Sequence, residues 1–243
     1  MCTVTFIAHN NSYYITSNRD EQLARKDAIA PQLYEYNGAS LIYPKDGEAG
    51  GSWVALHKNG NVAVLLNGGF VKHIPQPPYA ASRGIILLEI ISNPHPLNAF
   101  NTIHLTDIEP FTLVLYMQKS LFECRWDGHK KFAIALDKQE PHIWSSATLY
   151  EPAVIAKRKE WFGTWLLQTP NPTQQEILDF HRFAGDGDIT NSLLMNRNNQ
   201  LSTVSITSIA IHNQQATMQY LDLKQNKHTT QQMHLLNTIM QPG

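Results

Sequence analysis

The chain opens with MCTVTFIAHNNSYYITSNRDE, residues 1–21. The apolar run at 3–8 and the Tyr-, Ile- and Thr-containing run that ends near 17 both favour β-strand. The residues between them, His-Asn-Asn-Ser at 9–12, indicate a hairpin turn, because Asn tolerates positive φ. A tight antiparallel hairpin would bring Cys2, at the start of the first strand, beside the end of the second strand.

The position of Cys2 suggests a nucleophile. An initiator Met before so small a residue is usually trimmed, which would leave Cys2 at the N-terminus. Its α-amine, with a pKa of about 8, would then accept the thiol proton, so that one residue supplies nucleophile and base. If Met1 stays attached, that base is blocked. The sequence leaves both states open.

Charged residues follow the second strand, opposite Cys2. Arg19 is expected to favour the thiolate or to bind a substrate carboxylate. Asp20 is expected to hold the α-amine. Glu21 alternates away from Asp20 along a strand, so we expect it to support the structure by holding Arg25 or a nearby backbone amide.

Three further positions are candidate binding residues. Asn67 ends an apolar run just before two glycines and is either an oxyanion donor or a turn cap. Gly51, the second residue of a Gly-Gly pair, either lets the backbone approach a substrate or only makes a turn. Asn18 places an amide beside the thiol and is a candidate substrate-binding residue.

These features belong to a longer series of motifs. The blocks, in chain order, are Met1-Cys2, Asn18-Arg19-Asp20-Glu21, Gly50-Gly51-Ser52-Trp53-Val54-Ala55-Leu56, Gly60-Asn61-Val62-Ala63, Leu66-Asn67 and Ser82-Arg83-Gly84. The series resembles the NRDE family, also called the transport and Golgi organisation 2 family. The resemblance is clearest in the first third of the chain and thinner at 110–113 and 202–204.

The resemblance implies an α+β fold like that of N-terminal-nucleophile hydrolases. This is a four-layer αββα sandwich, in which two antiparallel sheets lie between layers of helices. Members of the family are associated with haem trafficking and lipid metabolism, and some eukaryotic members with secretory organisation or mitochondria.

One departure concerns the cationic residue. Acylases of the bile-salt-hydrolase type carry Arg-Asn-x-Asp on the second strand. Aligning residues 18–20 with the last three positions of that pattern puts Ser17 where the Arg belongs, and Arg19 then alternates away from Asp20. Either the Arg has moved by two positions, or the cationic group is absent.

Two functions of different classes fit these residues. As a hydrolase, the protein would cleave a non-peptide C–N bond of the amide type. Cys2 would attack, Asp20 would fix the amine, and Asn67 with a backbone N–H would hold the oxyanion. Alternatively, a non-enzymatic protein would use the same cleft to bind haem or an acyl-CoA-like ligand, with the thiolate as an axial iron ligand.

Composition excludes several other classes. The 243 residues are 42% hydrophobic and carry a formal net charge of −1, which argues against nucleic-acid binding. No apolar run reaches the roughly 20 residues of a membrane span, and no signal peptide is recognisable. We therefore expect one cytoplasmic domain over 1–243, with Cys124 reduced and packed in the interior. The sequence predicts neither a metal site nor a cofactor and leaves the oligomeric state open.

The remaining elements are predicted from periodicity and turn signals. Strands are expected at 39–43, 52–57, 62–66, 111–117, 120–126, 131–136, 202–212 and 216–223. Helices are expected at 82–92, 151–168 and 173–183, with Ser82 and Thr173 as N-caps. Trp161, Phe162 and Trp165 are expected to pack in the core. Residues 71–79 are expected to form a loop, and the polar chain from Lys224 onward to be loosely held.

Overall fold

A computed structural model of the protein describes residues 3–236. Within that range, the strands are β1 (Thr3–His9), β2 (Ser12–Gln22), β3 (Ile29–Tyr36), β4 (Ala39–Lys45), β5 (Val54–His57), β6 (Val62–Asn67), β7 (Phe111–Met117), β8 (Ser120–Trp126), β9 (Lys131–Leu136), β10 (His142–Ser145), β11 (Asn196–Arg197), β12 (Leu201–His212), β13 (Gln215–Asp222) and β14 (Lys227–His234). The helices are α1 (Arg83–Ile91), α2 (Pro96–Thr102), α3 (Pro152–Gln168) and α4 (Gln174–Phe183). None of these helices is long and apolar enough to cross a membrane.

The strands form two antiparallel sheets, each of seven strands within the described residues. Sheet A has the order β10-β1-β2-β12-β13-β14, with β11 paired to β12. Sheet B follows chain order from β3 to β9. Helices α1 and α2 lie with sheet B, while α3 and α4 lie with sheet A. The arrangement is the α+β sandwich of layers αββα that the resemblance implied.

The main core lies between the two sheets, because alternate residues of each strand face inward. On β1, Val4 and Phe6 are fully buried in this core, and the Phe6 ring lies 5.9 Å from that of Tyr116 in sheet B. Thr3 and Thr5 point the other way, and their hydroxyls contact side chains of α3 and α4. The start of β1 is therefore buried on both faces.

Most predicted elements are present, but the chain contains more strands than the sequence indicated. The expectation that the chain from Lys224 onward is loosely held is wrong for Lys227–His234, because β14 pairs with β13 along its whole length. The side chains of this strand are mostly polar and bury little apolar surface, so its sequence lacks the hydrophobic pattern by which a strand is predicted. Backbone hydrogen bonds hold it in the sheet. Strands β3 and β10 and helix α2 were also not predicted. That the whole chain forms one domain stays a prediction.

The aromatic residues of α3 occupy a more peripheral position than expected. Phe162 is buried, but Trp161 and Trp165 are only half-buried. Trp165 stacks on Phe180 of α4, with ring centroids 4.7 Å apart. These rings join α3 to α4 in a small second cluster outside the main core.

Two glycines make a close backbone contact between the loop before β5 and the first turn of α1. A Cβ on Gly51 would lie 2.6 Å from the Ile85 nitrogen, and one on Gly84 would lie 2.8 Å from the Ser52 oxygen. The Ser52 amide donates to the Gly84 carbonyl at 3.2 Å. Packing thus accounts for glycine at both positions.

We expect Gly51→Ala to lower the free energy of unfolding by about 1–3 kcal/mol, because the new methyl group collides with backbone rather than with a flexible side chain. Gly163→Ala is the matched control. Its added Cβ meets nothing within 4 Å, and alanine in a helix interior gains up to about 1 kcal/mol over glycine. Urea denaturation of both variants tests this, and equal stability would contradict the packing argument.

Candidate active site

The candidate site lies where three strands of sheet A meet at the start of β1. Thr3 is the Cα partner of Asn18 on β2 and of Ser145 on β10. Cys2, the predicted nucleophile, lies outside the described residues. It is bonded to Thr3, so the surroundings of Thr3 are the described part of the candidate site.

Asp20 lies on the face of β2 that also carries Asn18, and it is 3% exposed. Its carboxylate accepts hydrogen bonds from the Tyr150 hydroxyl at 2.6 Å and the Thr203 hydroxyl at 2.5 Å. Thr203 belongs to β12, which is paired with β2. Tyr150, which precedes α3, and Thr203 of β12 therefore hold this carboxylate in place from distant parts of the sequence.

Arg158 of α3 extends this cluster and was not predicted from the sequence. It is fully buried, and its guanidinium lies 3.6 Å from the centroid of the Tyr150 ring. It donates to the Thr3 hydroxyl and to the carbonyl oxygens of Asn191 and Ser192. In the sequence, Arg158 lies among Lys and Glu residues of a predicted helix. No feature of that pattern distinguishes it from an arginine on the solvent-exposed face, so its burial could not be predicted.

Arg19 lies on the opposite face of β2, as the alternation predicted. Its guanidinium donates to Asp46 at 2.6 Å, contacts Glu21 at 3.4 Å and lies 4.4 Å from the Trp53 ring centroid. Arg19 is 5% exposed. The guanidinium of Arg19 therefore faces sheet B and is held apart from Asp20, and its approach to the Cys2 thiol stays a prediction.

Asp46 is the residue that organises this charged cluster, and it was not among the residues predicted for the site. It also accepts from Arg25 at 3.0 and 3.1 Å. Burial disfavours the charged form of Asp46 and by itself would raise the pKa of that carboxyl group. The hydrogen bonds from Arg25 and from the Ala49 amide, with the charges of Arg19 and Arg25, outweigh that effect and lower the Asp46 pKa. Asp46 thus remains a carboxylate at neutral pH.

Glu21 has the supporting role that was expected of it. Its carboxylate lies 3.6 Å from the Arg25 side chain and accepts from the Gln22 amide at 2.9 Å. A small polar cavity opens beside these residues. Its lining includes Arg19, Glu21, Arg25, Lys26, Tyr220 and Lys224.

Asn18 is fully buried, and its side chain is bonded within the protein. Its amide donates to the His181 and Leu193 carbonyls at 3.1 and 2.7 Å, and its oxygen accepts from the His181 ring. Burial, with the nearby Arg158 charge, lowers the His181 pKa to about 3. The neutral ring donates through Nδ1 to Asn18 and accepts at Nε2 from Thr5. These bonds give Asn18 a structural role, and its contact with substrate stays a prediction.

Asn67 ends β6 in the facing sheet and lies close to the same end of β1. Its backbone carbonyl accepts from the Ser146 hydroxyl at 2.8 Å. Ser146 directly follows Ser145, the strand partner of Thr3. Within residues 3–236, the Asn67 side-chain amide has no hydrogen-bond partner and is half-buried. The Cys2 thiol, whose substrate Asn67 is expected to meet, lies outside the described residues.

The second cysteine is a packing residue, as predicted. Cys124 on β8 is fully buried, and burial with the nearby Glu123 charge raises its pKa to about 12. Its thiol is therefore protonated at neutral pH and shielded from reagents. Among residues 3–236, no cluster of His, Cys, Asp and Glu side chains is arranged to hold a metal ion.

Comparisons with known proteins agree with this fold. The chain is similar to a Caenorhabditis elegans orthologue of N-acylethanolamine-hydrolyzing acid amidase, with a TM-score of 0.58 and 11% sequence identity, over 86% of this chain and 92% of that one. A mutant conjugated bile acid hydrolase from Clostridium perfringens gives a TM-score of 0.49 at 10% identity, over 95% of this chain and 96% of that one. A comparison with curated proteins finds no match.

The likeness to the amidase orthologue, at so low an identity, establishes the fold alone, and this is the αββα arrangement that the resemblance to N-terminal-nucleophile hydrolases implied. Family membership rests on the sequence. Residues 1–236 match the family described as Transport and Golgi organisation 2. The match includes the Cys2, Asn-Arg-Asp-Glu and Gly-Gly-Ser-Trp motifs and extends far beyond them. The chain therefore belongs to the transport and Golgi organisation 2 family.

Proposed function

We propose that this protein is an amidohydrolase that cleaves a non-peptide C–N bond, with Cys2 as its N-terminal nucleophile. The observation that carries the proposal is the buried Asp20 carboxylate. Tyr150 and Thr203 fix it two residues beyond Asn18, the strand partner of Thr3. A carboxylate held there is suited to bind and orient an ammonium group at the chain terminus. The likeness of the fold to that of an amidase supports the same proposal.

The proposed reaction needs Met1 to be removed. The Cys2 sulfur attacks the amide carbonyl carbon, and the thiol proton passes to the α-amine of the same residue. The C–N bond then breaks, the proton goes to the leaving amine, and a thioester remains. Water attacks the thioester, releases the acid and restores the thiol. The reducing cytoplasm, where we place the protein, would keep this thiol free.

Two further residues have roles in the proposed reaction. Asn67 donates its side-chain amide to the oxyanion, together with a backbone N–H. Arg19 biases the thiol toward thiolate or meets a substrate carboxylate. Asn18 and Gly51 are proposed to border the substrate, Asn18 through an amide that contacts within the protein already hold in place and Gly51 through its backbone.

A second candidate function, non-enzymatic binding of an anionic ligand, draws on the cationic groups around a cavity beside Arg19, whose volume of about 10 Å³ holds a water molecule, so that a larger ligand would lie over its mouth. Arg25, Lys26 and Lys224 bring further cationic groups to its lining. A non-enzymatic protein would use such groups to meet the carboxylates of haem or the phosphates of an acyl-CoA. Acidic side chains, among them Glu21 and Asp222, line the same cavity and oppose an anionic ligand.

The proposal is tested on the purified protein after its N-terminal mass has been measured. In a brief iodoacetamide pulse at pH 7, Cys2 should alkylate much faster than Cys124, which is buried. The same protein should release amine from a mixed library of small amides, while Cys2→Ala should not. Equal labelling of both thiols, or release that survives Cys2→Ala, would refute Cys2 as the nucleophile.

A further inference from the structure

The outer edge of β9 is the least protected sheet edge in the described part of the chain. Exposed strand edges pair with other chains unless charge, proline, bulges or covering elements prevent it. β3, at the other edge of sheet B, carries Pro31 and a bulge between Ile29 and Gln32. In sheet A, β10 has only four residues, and β14 is polar, with the sequence KHTTQQMH. β9, in contrast, reads KFAIAL and has no charge after its first residue.

The side chains of β9 form an exposed apolar surface. Phe132 and Ile134 are 41% and 52% exposed, although both are large and hydrophobic. The exposed ring of Phe70 packs edge-on against Phe132, with centroids 5.0 Å apart, and enlarges the patch. Within residues 3–236, no strand pairs with this side of β9.

The hydrogen-bonding groups of this edge are fixed by the hairpin to β8. The Asp127 amide bonds to the Lys130 carbonyl, and hydrogen-bonded pairs alternate with non-bonded ones in an antiparallel ladder. Residues 132, 134 and 136 therefore bond to β8. The backbone groups of residues 131, 133 and 135 point outward and are available to another strand.

We propose that β9 pairs antiparallel with β9 of a second copy of this chain, about a twofold axis through Ile134. In that register Ile134 faces its own copy, Phe132 faces Leu136, and Ala133 faces Ala135. Lys131 faces Asp137 at both ends. The proposal is independent of the hydrolase proposal, because it uses no residue of the candidate site.

The charges favour this register. Lys131 donates to the Asn101 and Ile103 carbonyls, and no carboxylate pairs with it among the described residues. Asp137 accepts from the Gln139 amide and likewise has no cationic partner in that part of the chain. The twofold axis places Lys131 of each copy opposite Asp137 of the other copy, so that two ion pairs form across the interface. A register centred on Ala133 would instead place Lys130 opposite Leu136.

The test is sedimentation velocity over a range of protein concentrations. The wild type should form a dimer. Ile134→Lys should raise the dissociation constant by about a hundredfold or more, because it sets two like charges face to face on the axis. Leu33→Lys on β3 is the matched control, since Leu33 is 59% exposed at the opposite edge of sheet B. A monomer at all concentrations, or a dimer that Ile134→Lys leaves intact, would overturn the proposal.

Crosslinking tests the register and does not depend on the lysine variant. Directly opposed non-bonded residues have Cα atoms about 4.5 Å apart, within reach of a disulfide. In a Cys2→Ser background, Ile134→Cys should form an intermolecular disulfide under mild oxidation, while Leu33→Cys should not. Crosslinking through Ala133→Cys in place of Ile134→Cys would overturn the register.

Discussion

Asp20→Asn should abolish amide release while the protein stays folded. The substitution keeps the shape of the side chain but removes the charge that the proposed mechanism needs to hold the α-amine. Correct placement of an acid–base group contributes about 10²–10⁴-fold to a rate, so we expect a loss of that order in kcat. The measurement is initial-rate kinetics on an amide that the wild type cleaves.

The structure also predicts a stability cost, which must be separated from the catalytic effect. The Asp20 carboxylate accepts from two buried hydroxyls, and asparagine offers only one oxygen to them. We expect a loss of about 1–3 kcal/mol in the free energy of unfolding. Thr203→Val is the matched control, because it removes one of these hydrogen bonds and leaves the carboxylate charged.

The pair of variants separates three outcomes. For a hydrolase, Asp20→Asn should lose far more activity than Thr203→Val at similar stability. For a haem or acyl-CoA binder, Asp20→Asn should leave affinity equal or higher, because a negative charge near an anionic ligand is gone. If both variants lose only stability, in similar amounts and without any effect on function, Asp20 is a structural residue.

The sequence predicted the N-terminal hairpin and the positions of its charges because those features are local. Alternation along one strand is enough to put Asp20 and Arg19 on opposite faces, and the turn at 9–12 is enough to pair β1 with β2. The αββα layers came from the family resemblance. Strand alternation alone does not say which sheet a strand joins.

The partners of the candidate site could not be predicted because they are distant in sequence. Tyr150 and Thr203 meet Asp20 across 130 and 183 positions. Asp46 pairs with Arg19 across 27 positions. The burial of Arg158 could not be predicted from the sequence either. Helical periodicity identifies an apolar stripe, but it does not reveal a buried cation whose partners are carbonyl groups and an aromatic ring.

Asn67→Ala should reduce turnover more selectively than any other change at the candidate site. Removal of one oxyanion donor costs about 2.7–4 kcal/mol, or about 10²–10³-fold in kcat. The fold should tolerate the substitution, because the Asn67 side-chain amide bonds to none of residues 3–236. Its backbone carbonyl, which accepts from Ser146, is unaffected. We therefore expect a change in stability within about 0.5 kcal/mol.

Asn59→Ala is the matched control for Asn67→Ala. Asn59 lies in the turn between β5 and β6, where its side chain accepts from the Asn61 amide at 3.0 Å. Its loss should weaken this hairpin and leave kcat unchanged, which is the reverse of the pattern expected for Asn67→Ala. If Asn67→Ala keeps full turnover, or loses turnover only in proportion to stability, Asn67 is not the oxyanion donor and the oxyanion must be held by other groups.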